Sequence, residues 1–185
     1  RDLLTGKVTL VSRNAAGQAG NGPSSNATIS ADGKRIAYQS LASDLVTGDG
    51  NGKSDVFLYT RVGQVTTRVS LTAANTEAND DSSYPALSSN GSSLAFVSKA
   101  DLTGVGTAGV QNLYLRKVDG SSTKLFSAGS GTGANAPVYT PVITNDSRYV
   151  AYVSAATNLV AGDSNGTSDV FLYDRATGLT QRVSV

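Results

Sequence analysis

Ser30-Ala31-Asp32-Gly33-Lys34-Arg35-Ile36-Ala37-Tyr38-Gln39-Ser40 is the stretch that decides the fold. Asp32-Gly33 is a tight hairpin signal, and the apolar run behind it reads as a strand. The landmark returns as Ser88-Ser89-Asn90-Gly91-Ser92-Ser93-Leu94-Ala95-Phe96-Val97-Ser98, and again as Thr144-Asn145-Asp146-Ser147-Arg148-Tyr149-Val150-Ala151-Tyr152-Val153-Ser154. Recurrence at a near-constant interval marks a repeat architecture.

Two further landmarks travel with the first. Asp55-Val56-Phe57-Leu58-Tyr59 matches Asn112-Leu113-Tyr114-Leu115-Arg116 and Asp169-Val170-Phe171-Leu172-Tyr173 in steps of 57 residues, and Arg68-Val69-Ser70 matches Leu125-Phe126-Ser127 and Arg182-Val183-Ser184. Each unit therefore holds four strand signals: around 27–30, 35–40, 56–60 and 66–71 in the first. The third strand is apolar on both faces, as in a sheet sandwiched between neighbours, whereas the fourth is largely polar, as in a strand half in water. Four antiparallel strands repeated at a fixed period describe a β-propeller blade, with a β-solenoid as the alternative. Residues 5–12 align with the last strand alone. The expectation is an all-β chain of three full blades plus one outer strand of a fourth, part of a larger ring or assembly: 1–26 tail strand and linker, 27–84 blade 1, 85–140 blade 2 and 141–185 blade 3.

Ser-Ala-Asp-Gly-Lys-Arg-Ile-Ala-Tyr, followed by Asp-Val-Phe-Leu-Tyr and, in the last unit, Asp-Arg-x-Thr-Gly-x-Thr, resembles the WD40-like PD40 repeats of TolB-type β-propellers. The resemblance covers nearly the whole chain and implies fold far more than function, because such blades serve as periplasmic scaffolds and as non-catalytic domains of peptidases. The repeat here is longer than the ordinary blade of that type, mainly between the second and third strands.

Composition narrows the function. The chain has 185 residues, 39% hydrophobic and 16% charged, with a formal charge of +1. Lys and Arg are scattered singly, so neither nucleic acid nor an anionic membrane is an expected partner. No apolar run approaches the roughly 20 residues of a membrane span. With no His and no Cys, Ser-His-Asp and Cys-His nucleophiles, imidazole acid-base chemistry and zinc sites built on those ligands are excluded. A Cys-free chain rich in Ser, Thr, Asn and Gly leans toward a secreted, cell-surface or periplasmic location.

The sharpest local signal is Asp49-Gly50-Asn51-Gly52-Lys53-Ser54-Asp55, repeated as Asp163-Ser164-Asn165-Gly166-Thr167-Ser168-Asp169. Oxygen donors at Asp49, Asn51, the Lys53 carbonyl and Asp55, and at Asp163, Asn165, the Thr167 carbonyl and Asp169, predict two Ca²⁺ sites; such loops also form metal-free Asx turns. Asp44 is a further candidate ligand, opposite Asn158. The adjacent acids Asp80 and Asp81 read as a solvated loop, since strand neighbours point to opposite faces. Half of the tyrosines fall on repeat-equivalent strand positions and read as core. Asn26, Asn90, Asn145 and Asn165 open Asn-x-Ser/Thr triplets that chance explains in so Ser/Thr-rich a chain.

The functional expectation is a non-catalytic extracellular or periplasmic propeller module for structural, protein or glycan interaction, with calcium-stabilised loops. Its partners are a protein, a glycan or further copies of itself, within a larger chain or homo-oligomer. The alternative is the accessory propeller of a larger secreted hydrolase or peptidase.

Overall fold

The computed structural model describes residues 1–127 and 132–184; Val185, the end of the expected last strand, lies outside them. Among the described residues twelve strands form three four-stranded antiparallel sheets, each in sequence order. Blade 1 is β1 (Ser24–Ile29), β2 (Arg35–Ser40), β3 (Asp55–Thr60) and β4 (Val65–Arg68). Blade 2 is β5 (Ser82–Leu87), β6 (Ser93–Ser98), β7 (Asn112–Lys117) and β8 (Thr123–Leu125). Blade 3 is β9 (Val138–Ile143), β10 (Tyr149–Ser154), β11 (Asp169–Asp174) and β12 (Leu179–Arg182). Among the described residues no helix is long and apolar enough to cross a membrane.

The period-2 geometry of a strand explains the sandwich. In β3, Val56 and Leu58 point toward blade 2 and join Leu94, Phe96 and Tyr114, while Phe57 and Tyr59 point the other way, to Tyr38, Ala42 and Leu45. Blade 2 repeats the division: Ala95, Val97, Leu113 and Leu115 pack against Tyr152 and Phe171 of blade 3. Tyr38, Tyr59, Tyr114 and Tyr152 are fully buried, as their strand positions predicted. The outer strands β4 and β12 alternate exposed and half-buried residues.

The first strand of every blade begins three residues earlier than expected, because a bulge interrupts its alternation. The register breaks between Ser25 and Thr28, between Ser83 and Ala86, and opposite Ala151 to Val153. At these breaks Asn26, Tyr84 and Thr140 take positive φ of 52°, 51° and 45°. Residues 5–12, expected as an outer strand, form none, since a strand is defined by a ladder and they lie on the face of blade 1 without pairing to a strand edge. The following stretch is held by the Arg13–Ala19 bridge, which corresponds to Leu71–Glu77 in the link between blades 1 and 2.

Candidate functional site

The Asp-x-Asn-Gly loops bring their acids together around a cation, and the cation is an arginine. Nη1 of Arg68 lies 3.2 Å from Asp49 Oδ1, 3.4 Å from Asp55 Oδ2 and 2.7 Å from Glu77 Oε1. In blade 3, Arg182 Nη1 lies 3.0 Å from Asp163 Oδ1 and 3.5 Å from Asp169 Oδ2. The asparagines are turned for hydrogen bonding within the loop. Asn51 Oδ1 accepts the Lys53 N–H at 2.8 Å, while its NH₂ donates to Asp55 Oδ2 and to the Ala78 carbonyl. Asn165 does likewise with Thr167 and Asp169.

The third landmark of the repeat supplies the remaining partners. The Ser70 hydroxyl donates to Asp55 Oδ1 and accepts the Val56 N–H, closing the β3–β4 hairpin. Ser127 with Asn112 and Ser184 with Asp169 make the same clamp. Burial pushes the Asp55 carboxyl above its ordinary range against the donors from Ser70, Asn51 and Arg68. Asp49 is raised by burial and by the charge of Asp55, opposed by Arg68. Asp169 is lowered, first by the Ser184 hydroxyl and then by Asn165, and Glu77 is lowered by the Gly50 N–H and by Arg68.

In each loop a guanidinium takes the place between the acids that the calcium expectation gave to a metal ion. A hard cation needs oxygens facing it, yet the asparagine edge nearest each carboxylate is an NH₂ and the space between the acids holds a guanidinium. Among the described residues no group of three or more acidic side chains is disposed to hold a metal ion. Blade 2 shows the same logic by omission. Where Arg68 and Arg182 become Leu125, Asp55 and Asp169 become Asn112, which accepts from Ser127 and the Ala134 N–H and donates to the Thr107 and Val110 carbonyls. Carboxylate and arginine come and go together, as partners do.

Asp44 takes no part in the loop. It accepts the Asn21 N–H and the Asn14 side chain, anchoring the segment before blade 1. Asp81 joins blades through the Ser54 N–H at 3.0 Å, and Asp80 lies 3.8 Å from Lys53 Nζ.

A second place was not found from sequence. The bulged first strands of blades 1 and 2 flank a groove of about 430 Å³ lined by Ser25, Gln39, Ser83, Tyr84, Lys99 and Gln111, among others. Gln39 Oε1 receives both the Asn26 side chain at 3.0 Å and the Tyr84 N–H at 2.9 Å. Positive φ at a non-glycine residue concentrates at functional sites, and bulges re-aim side chains. Tyr84 and, on blade 3, Tyr139 are over a third exposed. The available signal was Pro85 and Pro141, because proline inside a strand marks an edge or a bulge.

No family model and no curated protein matches this chain. Solved structures do. The crystal structure of TolB from Acinetobacter baumannii matches at 16% identity with TM-score 0.57, over 100% of this chain and 36% of that one. The putative TolB from Agrobacterium tumefaciens matches at 20% identity with TM-score 0.59, over 94% and 50%. The β-propeller domain of the Trilobed protease from Pyrococcus furiosus, described as having an open velcro topology, matches at 12% identity with TM-score 0.56, over 86% and 41%. The chain thus has the blade fold of TolB-type propellers and spans a third to a half of the length of these structures.

Proposed function

We propose that this chain is a non-catalytic β-propeller interaction module, acting outside the cytoplasm, that holds a protein segment or glycan along its bulged first strands. The observation that carries the reading is the groove around Gln39 and Tyr84, where amide, hydroxyl, phenol and Lys99 ammonium groups offer both donors and acceptors beside an aromatic face. Polar groups convergent on a concave surface are how such sites orient a ligand. The absence of His and Cys from the sequence supports a binding role over a hydrolytic one, and the Cys-free composition supports the location. Loop stability in this reading comes from Arg68 and Arg182.

Oligosaccharide and peptide arrays test it. Retention of one ligand class, lost in Tyr84→Ala and Gln39→Ala with melting unchanged, is the expected result. Turnover of nitrophenyl glycosides, esters or peptide anilides that co-purifies with the chain would defeat the reading. The likeness to a protease's propeller domain favours one second reading, an accessory module beside a hydrolase; the groove would then meet substrate peptide, and the peptide array would be the one that responds.

A further inference from the structure

Arg116 stands where the other two blades carry tyrosine, midway along the repeat steps that lead from Tyr59 to Tyr173. On those blades the phenol ring finds its own company: Tyr59 lies in a buried cluster beneath the Arg13 guanidinium, and Tyr173 packs on Phe126 with ring centroids 4.6 Å apart. On β7 the position lies two residues beyond Tyr114, on the strand face turned toward blade 1. It holds a guanidinium that is only 7% exposed.

A buried charge needs an opposite charge or a full set of hydrogen bonds. Arg68 is met by three carboxylates. Among the described residues Arg116 is met by none: its Nη1 donates to Thr123 Oγ1 at 2.7 Å and its Nη2 to Asn75 Oδ1, both neutral acceptors. Burial lowers the guanidinium below its ordinary value, and no acid offsets it. A guanidinium carries more donors than these two contacts use.

The surroundings favour an anion. Residues 116–124 hold Arg116, Lys117 and Lys124 against Asp119 alone, whereas the matching hairpins hold only Arg61 in blade 1 and the opposed pair Asp174 and Arg175 in blade 3. Asp119 is turned to its own hairpin, its Oδ1 accepting the Ser121 N–H at 2.8 Å. Asn75, which covers the guanidinium from the link between blades 1 and 2, is exposed and takes a φ of 59°. A side chain holds that conformation at a cost, and such strain collects at ligand clamps.

We propose that Arg116, with Thr123 and Asn75, is a binding site for one phosphate group, free or borne on a sugar, at the outer edge of the seam between blades 1 and 2. Arginine pairs with phosphate through parallel N–H donors. The anion displaces Asn75 Oδ1 from Nη2, and the amide turns its NH₂ toward the phosphate while the Thr123 hydroxyl donates to another oxygen. Donors arriving from three chain segments suit a tetrahedral anion better than a flat carboxylate. A single phosphate needs no extended basic surface, in keeping with the scattered cations of the chain. The site goes beyond the groove reading and shares no residue with it.

The test exchanges chloride for inorganic phosphate, and separately for glucose 6-phosphate, at constant ionic strength. The melting temperature is expected to rise with phosphate by mass action, and the ³¹P resonance to broaden with added protein. A larger response to inorganic phosphate identifies the free ion, and a larger response to glucose 6-phosphate the sugar-borne group. Arg116→Tyr, which installs the residue of the other two blades, is expected to fold and lose both effects. Asn75→Gly removes the competing carbonyl and suits the positive φ, and is expected to bind phosphate about tenfold more tightly. Tyr84→Ala, which impairs the groove, is expected to keep both effects, so the two readings fail separately. A wild type indifferent to both phosphates, a response that survives Arg116→Tyr, or an Asn75→Gly protein that binds no more tightly would each overturn the proposal.

Discussion

Asp55 and Asp169 hold the same place in two blades, and burial acts on them differently. Asp55 is held above its ordinary carboxylate value, so the folded state retains its proton better than the unfolded chain does. Its contribution to stability is present below about pH 4 and is lost as pH rises through the raised value. Asp169 is held below; its contribution is present above about pH 4 and is lost as pH falls through the lowered value. Asp55→Asn should therefore gain stability relative to the wild type between acid and neutral pH, and Asp169→Asn should lose it, in urea melts at matched pH. A shared sign would refute the assignment. Arg68 is the counterpart of both arguments. Arg68→Leu, which installs the residue found at 125, strands Asp49 and Asp55 and should cost about 3–5 kcal/mol. Adding Asp55→Asn should recover part of that loss, a coupling that a double-mutant cycle measures. Calcium and chelator should leave the wild-type melting temperature unchanged, while the Arg68→Leu protein, with its acids freed, should respond to calcium. A chelator-sensitive wild type would return the loops to metal.

At the scale of elements, the hairpin between the first two strands rests on one backbone position. Gly33 and Gly91 take φ of 65° and 72° there, and Ser147 takes 62° in blade 3. A side chain in this region costs about 1–2 kcal/mol. Gly33→Ala should cost about 1 kcal/mol, and Ser147→Gly should gain somewhat less than that, because the new glycine also frees the unfolded chain and the Ser92–Ser147 hydroxyl contact at 3.2 Å is lost. Equilibrium urea titration with unchanged m-values checks both signs. The third strands were legible in the sequence because burial on two faces leaves a continuous apolar run. The first strands were legible only past their bulges, since Asn26, Tyr84 and Thr140 break the alternation on which a period-2 reading depends. The Asp-x-Asn-Gly loops were legible as acidic clusters but not as to their cation: Arg68 lies 13 residues beyond Asp55, and only the β3–β4 pairing brings it back. Residues 5–12 carried the right pattern without pairing to a strand edge, and pattern alone makes no strand.

At the scale of the whole molecule, one leucine repeated three times reads the state of each blade face. Leu58 and Leu115 are buried between blades, and truncating such a side chain to Ala costs about 2–5 kcal/mol, the removed transfer energy plus the cavity left behind. Leu172 occupies the same strand position on blade 3 and is half-buried. In dilute protein, Leu58→Ala and Leu115→Ala should each lower stability by about that amount, and Leu172→Ala by under about 1 kcal/mol, because solvent already reaches the site and no cavity forms. A Leu172→Ala penalty as large as that of Leu58→Ala would mean that the third face is packed as tightly as the other two.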